Sequence, residues 1–452
     1  MSEAHQTQDM PAQSNFFLDC ERHLAQETQT RFRDQHVTNF LNTLNYLPEE
    51  KQSPASIHNR AALLSLASRL KDIFHLPTRH PSKAYFFGAI IEPETFGFFG
   101  FGKHPVGVGG RGQTIQQAFE GCVGEAAEYL SFLERPNDPL ITLKNSDDGL
   151  LPLERDWMRA ALGLGKQDAP CLSSRIQASS LVNERSVWFP SGLVLRQPGN
   201  GHWAPRPAES NGVGAGRDYN HAVFSGITEV IERDAFALWW FGEKPAYTLD
   251  PDVENNSEFK DFIQDCRGAS DRHIWFLDIS TEIAVPVVAA LSSKPDGSAV
   301  VAGFAADPDP LIAAKKAFLE LCQMEIAQEI SVIKHGYYGV KRLSEQDHIW
   351  LNRHKNLSVK KFPLLKKRKP VTRSHLASWS DPHSMVIEML DQSGFTPFVI
   401  NLSRADINIP VVRVLVPGLQ SAKADWISPR LKDLANKTGA DCYKFKNKLS
   451  PI

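Results

Sequence analysis

The sequence feature that most constrains the fold is a glycine-rich segment leading into a helical stretch, because it occurs twice. Each glycine-rich segment is interpreted as a turn, and each following stretch has apolar side chains three or four positions apart. The turns lie at 107–112 and 211–216, and the helical stretches at 114–133 and 219–241. A third, looser unit has strand-like segments at 275–291 and 299–305, then a helical stretch at 310–333 with a proline near its start.

Other segments predict further strands and helices around these units. Strand-like segments lie at 84–102, 186–195, 397–402 and 411–416, and amphipathic helices are expected at 32–47 and 60–74. The polar opening of the chain is expected to be mobile, and the basic stretch at 353–373 is expected to be a surface loop. The chain is long enough for one large domain or two closely joined ones.

Each of the three main helices carries carboxylates or amides three residues apart. The pairs are Glu125 with Glu128, Glu229 with Glu232, and Glu320 with Gln323. This spacing places both side chains of a pair on one face. The neighbouring residues are mostly apolar and small, so we expect the helices to pack inside the domain and bring the acids into a buried or cleft position. Buried carboxylates are destabilising without counter-charge, and a divalent cation offsets that effect.

The cation that fits best is Mg²⁺, held by carboxylates and by the phosphates of a substrate, because no His/Cys constellation competes for the site. A solvated helix face explains most single pairs of this kind. Three pairs on apolar helices favour the metal–phosphate site, although the spacing alone leaves both interpretations open.

The first glycine-rich turn also matches the GxGxxG pattern of dinucleotide-binding proteins. The strand–helix–strand unit and the acidic residue about 20 positions further on, which that function requires, are not convincing. Arg111 inside the turn suits a phosphate group better than a nicotinamide ribose. The sequence has no GxxxxGK[ST] motif, which excludes an ordinary P-loop.

Composition narrows the class of protein. A formal net charge of -2 with 23% charged residues does not indicate nucleic acid or membrane as the main partner. We find neither an apolar signal segment at the N-terminus nor an apolar stretch as long as a transmembrane helix. The six cysteines are scattered without a CxxC pair, so neither a disulfide framework nor a zinc site is expected. These features predict a soluble, cytoplasmic protein.

Several of these segments resemble the signatures of the YcaO family. The first signature lies at Gly110–Gly112, Gln117-Ala118 and 124–128. The second lies at 210–212, Gly216, 225–234 and Trp239-Trp240. The third lies at 317–323 and the last at 409–419. The resemblance covers roughly residues 84–425. It implies an α+β fold with mixed or antiparallel sheets packed against the helices that carry the carboxylates. The expected division is an N-terminal helical extension at 1–80, partly disordered, a catalytic domain at 81–425 and a C-terminal tail at 426–452.

The resemblance also implies roles for individual residues. The expected Mg²⁺ ligands are Glu125, Glu128, Glu229 and Glu232. The expected nucleotide-binding residues are Arg111, Asn211, Ser225, Arg233, Glu320 and Gln323. Arg111 as a turn residue and Arg233 as a surface partner of Glu229 are the alternatives for the two cations. Trp239 and Trp240 are expected in the core. No residue is assigned as a catalytic base.

The implied activity is ATP-dependent phosphorylation of a backbone amide, with cyclodehydration of Cys, Ser or Thr to thiazoline or oxazoline in a ribosomally made peptide, as in bacteriocin or microcin maturation. The implied partners are the precursor peptide and a presenting protein similar to ubiquitin-activating enzymes, docking on 1–80 or on 353–373. A homodimer is possible, and no nucleic-acid or membrane partner is expected.

Three departures from the family pattern keep other functions open. Gly121 and Tyr129 stand where the first signature usually has Ser and Arg, and Arg111 stands where a Lys is common. The chain also ends without a Pro-x-Pro-x-Pro tail. Thioamide or amidine formation therefore remains an alternative chemistry, and a non-catalytic scaffold that binds nucleotide or leader peptide remains an alternative class.

Overall fold

In the computed structural model of the protein, the described residues are 13–25, 35–47, 53–76, 78, 82–101, 105–142, 148–165, 174–198, 206–267, 270–366, 368–369 and 381–452. The polar opening of the chain, for which mobility is expected, lies outside them as far as residue 12. Cys171 and residues 370–373 of the basic stretch lie outside them as well. The cysteines of the described part are free thiols, and no helix there is long and apolar enough to span a bilayer.

Helices make up much of the described chain. They are α1 Gln13–Ala25, α2 Gln35–Thr43, α3 Pro54–Arg69, α4 Ile115–Phe132, α5 Pro152–Leu162, α6 Ser191–Val194, α7 Tyr219–Trp240, α8 Pro251–Glu254, α9 Ser257–Arg267, α10 Pro310–Tyr338, α11 Glu345–Asn356, α12 Pro382–Gln392 and α13 Pro429–Thr438. Single 3₁₀ turns or short 3₁₀ segments lie at Pro93–Phe96, Val340–Arg342, Pro363–Leu365 and Cys442–Asn447.

The strands form three sheets. They are β1 Asp72–His75, β2 Tyr85–Ile91, β3 Val106–Gly112, β4 Arg175–Ser180, β5 Ser186–Pro190, β6 Val213–Ala215, β7 Ala246–Tyr247, β8 His273–Asp278, β9 Val287–Ser293, β10 Val301–Ala306, β11 Arg368–Lys369, β12 Phe398–Asn401 and β13 Val411–Leu415. The strand orders are β1-β2-β3, β10-β9-β8-β7-β11 and β5-β4-β12-β13-β6. All pairs are antiparallel except β7 with β11. The predicted α+β architecture with mixed and antiparallel sheets is confirmed.

The three long helices pack where the sequence places them. Helix α4 packs on β3 and β2, α7 on β6 and β13, and α10 on β10 and β9. Trp239 and Trp240 at the end of α7 are completely buried in the core, as expected. Helices α1 to α3 share one hydrophobic cluster with α4, through contacts such as Phe17 with Phe119. The division into an extension and a catalytic domain stays a prediction.

Several predicted boundaries are wrong. The helix expected at 60–74 ends at Arg69, and the chain then pairs as β1 with β2, with Ile73 opposite Ala89. The segment at 186–195 is a strand only as far as Pro190 and continues as α6. The basic stretch begins inside α11 and includes β11, so it is not simply a loop. Pairing with a strand distant in sequence decides the structure at β1 and β11, whereas α6 and the part of α11 within the basic stretch are local helical structure.

The first glycine-rich segment is a strand, whereas the sequence predicts a turn. All of β3 pairs with β2, from Val106 opposite Ile91 to Gly112 opposite Tyr85. The glycines are needed for close packing: a Cβ on Gly110 would lie 2.1 Å from the Ala118 carbonyl oxygen of α4. The missing side chain therefore allows the strand backbone to lie directly against the helix.

This close approach yields a stability prediction. The change Gly110→Ala is expected to destabilise the protein by about 3 kcal/mol or more, because the new methyl group would overlap helix backbone that cannot move independently. The measurement is thermal unfolding followed by circular dichroism.

Gly107→Ala is the matched control, because a Cβ at Gly107 on the same strand would meet no heavy atom of the described residues within 4 Å. It should unfold close to the wild-type temperature. Equal unfolding temperatures for the two variants would contradict the close packing of β3 on α4.

Candidate functional site

Helices α4 and α7 begin in the same way and present their acids in the same way. Thr114 caps α4 by accepting a hydrogen bond from the backbone N–H of Gln117, and Asp218 caps α7 by accepting one from His221. In both helices the acid pair lies in the third and fourth turns after the cap. The strand before each helix lacks side chains at its contact with the helix, so the carboxylates can reach the strand backbone.

Each of four carboxylates accepts a hydrogen bond from a strand or from the residue preceding it. Backbone N–H groups of Gly109, Ala215, Gly212 and Phe304 donate to Glu125 (2.9 Å), Glu128 (2.7 Å), Glu229 (2.9 Å) and Glu320 (2.8 Å), respectively. The bond between Ala215 and Glu128 joins the first strand–helix unit to the second. These bonds fix one oxygen of each carboxylate and leave the other available for a ligand.

Two arginines lie among the acids. The Nη1 atom of Arg111 donates to Oε1 of Gln323 (3.0 Å), and its Nη2 lies 3.6 Å from Oε2 of Glu320. The Nε atom of Arg233 lies 3.5 Å from Glu232 and 3.7 Å from Glu229. Arg111 therefore connects β3 with α10, and neither arginine is an isolated surface residue.

The remaining predicted residues lie at the edge of this cluster. Asn211 precedes β6, and its Oδ1 atom is buried without a hydrogen-bond partner among the described residues. Ser225 is half-buried on α7, one turn before Glu229. Gly121 occupies the corresponding place on α4, where a Cβ would approach other atoms no closer than 3.7 Å. A serine would therefore fit there, and glycine is not required by space.

Burial raises the pKa of all four predicted metal ligands. Desolvation is the main cause at each, and it raises the pKa of Glu232 to about 8. Glu125 is accessible to solvent, but surrounding protein still disfavours its charged form. For Arg233, burial lowers the pKa, but the nearby carboxylates outweigh it and hold the guanidinium charged. The cluster has more acids than bases and favours a bound cation.

The donor set fits Mg²⁺ with a phosphate ligand. All the candidate ligands are carboxylate or amide oxygens, which a hard cation prefers. Oε1 of Glu232 is buried without a hydrogen-bond partner among the described residues, as a metal-binding oxygen would be before the ion binds. In the described residues no three His, Cys, Asp or Glu side chains already stand close enough to hold one ion. Phosphate oxygens would complete the coordination sphere, as is usual for Mg²⁺.

The cluster opens into a cleft of about 680 Å³. Asn211, Glu229, Arg233 and Glu320 line it on the cluster side. With one exception, the sequence does not indicate the residues that line the rest of the cleft. They include Arg196, Glu209, Trp350, Arg353, Lys423 and Ile452. These residues come from segments far apart in the sequence, and none belongs to a recognisable spacing. Only the basic character of 353–373 indicated one of them, Arg353.

These features define a class of protein: an α+β protein without a P-loop motif, whose clustered helix carboxylates and arginines fit Mg²⁺ and nucleotide phosphates. A family model described as YcaO cyclodehydratase, ATP- and Mg²⁺-binding, matches residues 109–420. The chain belongs to the YcaO family, and ATP and Mg²⁺ are the ligands of that family.

Two relatives of uncharacterised function are similar to this chain in sequence. A protein of Methanothermobacter thermautotrophicus is 27% identical over 339 residues, which cover 70% of this chain and 82% of that protein. A protein encoded in the tfuA 3′ region of Rhizobium leguminosarum bv. trifolii is 26% identical over 262 residues, covering 53% and 59% of the two chains.

Solved structures share the fold. A heterocyclase in complex with substrate and cofactor superposes with a TM-score of 0.67 at 20% identity and covers 90% of this chain, which spans only 58% of that heterocyclase. The heterocyclase TruD gives 0.55 at 19% identity, covering 94% and 69% of the two chains. The YcaO protein of Methanopyrus kandleri, bound to AMPPCP and Mg²⁺, gives 0.54 at 18% identity, covering 86% and 92%.

The raised pKa of Glu232 leads to a prediction about pH. A carboxyl group whose folded pKa is raised contributes its stability below the ordinary value of 4.5, and this contribution is lost as pH rises towards about 8. In metal-free protein at pH 8, Glu232→Gln should therefore raise the unfolding temperature by about 1–3 °C. The gain should disappear as the pH falls towards 4.5. Differential scanning fluorimetry across this range measures it.

Glu184→Gln is the matched control, because Glu184 is exposed on a loop away from the cluster. It should leave the pH dependence of unfolding unchanged. A wild type and a Glu232→Gln variant with parallel curves from pH 4.5 to 8 would show that Glu232 is not held at a desolvated site.

Proposed function

We propose that the protein is an ATP-dependent peptide cyclodehydratase that converts Cys, Ser or Thr residues of a ribosomally made peptide to thiazoline or oxazoline. The observation that carries the proposal is the convergence of Glu125, Glu229 and Glu320 from three helices with Arg111 and Arg233, beside a cleft large enough for a peptide segment. The likeness to two heterocyclases over at least 90% of the chain supports ring formation as the chemistry.

In this proposal the acidic residues bind the metal ion and the arginines bind phosphate. Glu125, Glu128, Glu229 and Glu232 would hold Mg²⁺. Bound ATP and Mg²⁺ would supply the phosphoryl group that makes the amide oxygen a good leaving group. The guanidinium forks of the two arginines would bind phosphate oxygens and stabilise the charge of the transferring group.

Residues at the edge of the cluster would complete the nucleotide-binding site. Asn211 and Glu320 line the cleft, and with Ser225 and Gln323 they would bind the nucleotide. The protein contributes position and charge neutralisation, as in other phosphoryl transfers.

Thioamide or amidine formation at the same site remains the alternative chemistry. The departures at Gly121 and Tyr129 give weight to the non-catalytic scaffold. Since a serine would fit at Gly121, that departure does not reflect a reshaped helix. The non-catalytic scaffold is less well supported, because all the carboxylates of the cluster are present and lie together.

Partners follow from the same proposal. A precursor peptide would enter the cleft, and a presenting protein similar to ubiquitin-activating enzymes would dock on the N-terminal helices or on the basic segment around α11. The Escherichia coli microcin synthetase McbBCD complex, which shares the fold with a TM-score of 0.55 at 13% identity and covers 77% of this chain, is an assembly of more than one kind of chain. A cytoplasmic location and a homodimer are part of the proposal.

The test is phosphate release from ATP, with and without a Cys/Ser/Thr-rich peptide and its presenting partner, while the peptide mass is followed. Cyclodehydration predicts peptide-dependent phosphate release and the loss of one water per modified residue. Exchange of oxygen for sulfur in the peptide would establish thioamidation instead. Nucleotide binding without turnover, with the partner present, would favour the scaffold.

The changes Glu229→Gln and Glu232→Gln are each expected to abolish peptide-dependent phosphate release. Each change removes a negative charge that would hold Mg²⁺ at the phosphates of ATP. Both variants should stay folded, since glutamine keeps the shape of glutamate. Glu184→Gln, on the exposed loop, should keep wild-type turnover. Full turnover in a folded Glu229→Gln or Glu232→Gln variant would refute the assignment of these two residues.

A further inference from the structure

Beside the cleft lies a second, smaller cavity of about 60 Å³. Ala208, Glu209 and Asn211 line both spaces and lie between them. The small cavity is bounded mainly by apolar side chains, including Trp157 and Trp426. One water molecule needs about 10–15 Å³ of such space, so the cavity can hold a group of only a few heavy atoms.

The polar groups of this cavity have unused hydrogen-bonding capacity. Arg413 on β13 is only 3% exposed, and its Nε and Nη1 atoms have no hydrogen-bond partner among the described residues. The Oδ1 atom of Asn211 is also unpaired there. Buried polar atoms normally have partners. An apolar wall with unpaired donors and an acceptor is typical of a pocket that receives a small polar group of a ligand.

Glu209 borders both the cleft and the small cavity and is half-buried. Desolvation raises its pKa, while Lys423, the Ser421 hydroxyl and Arg413 partly oppose this effect and Asp425 adds to it. Lys423, Ser421 and Asp425 face it from the segment after β13, and Arg413 faces it from β13 itself. A carboxyl group with a raised pKa holds a proton more readily than an ordinary one, which suits a group that accepts and releases a proton.

The proposed reaction needs a proton acceptor at this place. A cysteine thiol or a serine or threonine hydroxyl attacks well only when its proton is removed. Lysine and arginine side chains offer hydrogen-bond donors and no acceptor. Of the acids that line the cleft, Glu229 and Glu320 are engaged by backbone N–H groups and arginines, and Asp425 is exposed to solvent. Among the described residues that line the cleft there is no histidine. Glu209 borders the cleft beside this cluster without belonging to it.

We propose that Glu209 is the proton acceptor of the reaction and that the small cavity receives the nucleophilic side chain of the substrate. The inference rests on the proposed function. The S–H or O–H proton passes to the Glu209 carboxylate as the sulfur or oxygen forms a bond to the amide carbon. The carbonyl π electrons move to the oxygen, which becomes the oxyanion that is phosphorylated. The proton on Glu209 passes to the phosphate as the C–O bond breaks and the nitrogen lone pair forms the C=N bond. The proton of that nitrogen then passes to the regenerated Glu209 carboxylate and on to solvent.

The test measures product formation from the full chain with its presenting partner, ATP, Mg²⁺ and a cysteine-containing peptide. Glu209→Gln should lower the rate of ring formation by about 100-fold or more, with AMPPCP binding in Mg²⁺ within twofold of wild type. The decline of the wild-type rate at acidic pH should be absent in this variant. Glu209→Asp should recover part of the rate.

Chemical rescue separates a proton acceptor from a structural residue. In Glu209→Ala, added formate should restore ring formation in a concentration-dependent manner, because formate fits the space left by the carboxyl group and can take the proton. Formate should have no effect on wild type or on Glu232→Gln.

Asp425→Asn is the matched control, since Asp425 is an exposed acid that lines the same cleft. It should keep the maximal rate and move the acidic decline to lower pH, because its charge helps to raise the pKa of Glu209. A Glu209→Gln variant with the wild-type rate and pH profile would overturn the role of Glu209 alone. If wild type binds AMPPCP but makes no product with peptide and partner present, the proposed function fails, and this role falls with it.

Discussion

The structure depends on holding several carboxylates close together away from bulk water. Glu128, Glu229 and Glu232 all have raised pKa values for this reason, and an unpaired buried charge is strongly destabilising. Backbone N–H groups of the strands and two arginines offset part of this repulsion. The repulsion that remains makes the arrangement unfavourable on its own, and under the proposed function a bound Mg²⁺ ion would offset it.

That arrangement is possible because strands without side chains lie directly on the helices. At Gly110 and at Gly214 a Cβ would come within 2.1 and 2.4 Å of a carbonyl oxygen of the helix beneath. The same contact that excludes a side chain brings the strand N–H groups within reach of the carboxylates. In both strand–helix units, the same close contact therefore allows dense packing and provides backbone hydrogen bonds to the carboxylates. Helix α10 adds Glu320 and Gln323 from the other side, with Arg111 as the link.

The sequence predicts the parts of this site that lie on one element and misses those that depend on neighbours. Helical spacing placed the acid pairs on common faces, and the apolar residues around them indicated burial. The glycine run at 107–112 matched a nucleotide-binding turn, yet its pairing with β2 makes it a strand. Pairing is decided by a partner distant in sequence, which local pattern does not record. Glu209 and Arg413 were missed for the same reason, since β13 brings them together across the chain.

One buried residue connects the phosphate side of the site with the side that faces the small cavity. Asp234 directly follows Arg233 on α7 and is completely buried. It accepts hydrogen bonds from the backbone N–H of Gln420 (2.8 Å) and from Nε of Arg430 (3.1 Å). Gln420 begins the segment that carries Ser421, Lys423 and Asp425 past Glu209. The helix that carries Arg233 is therefore joined to that wall by a direct hydrogen bond through a completely buried carboxylate.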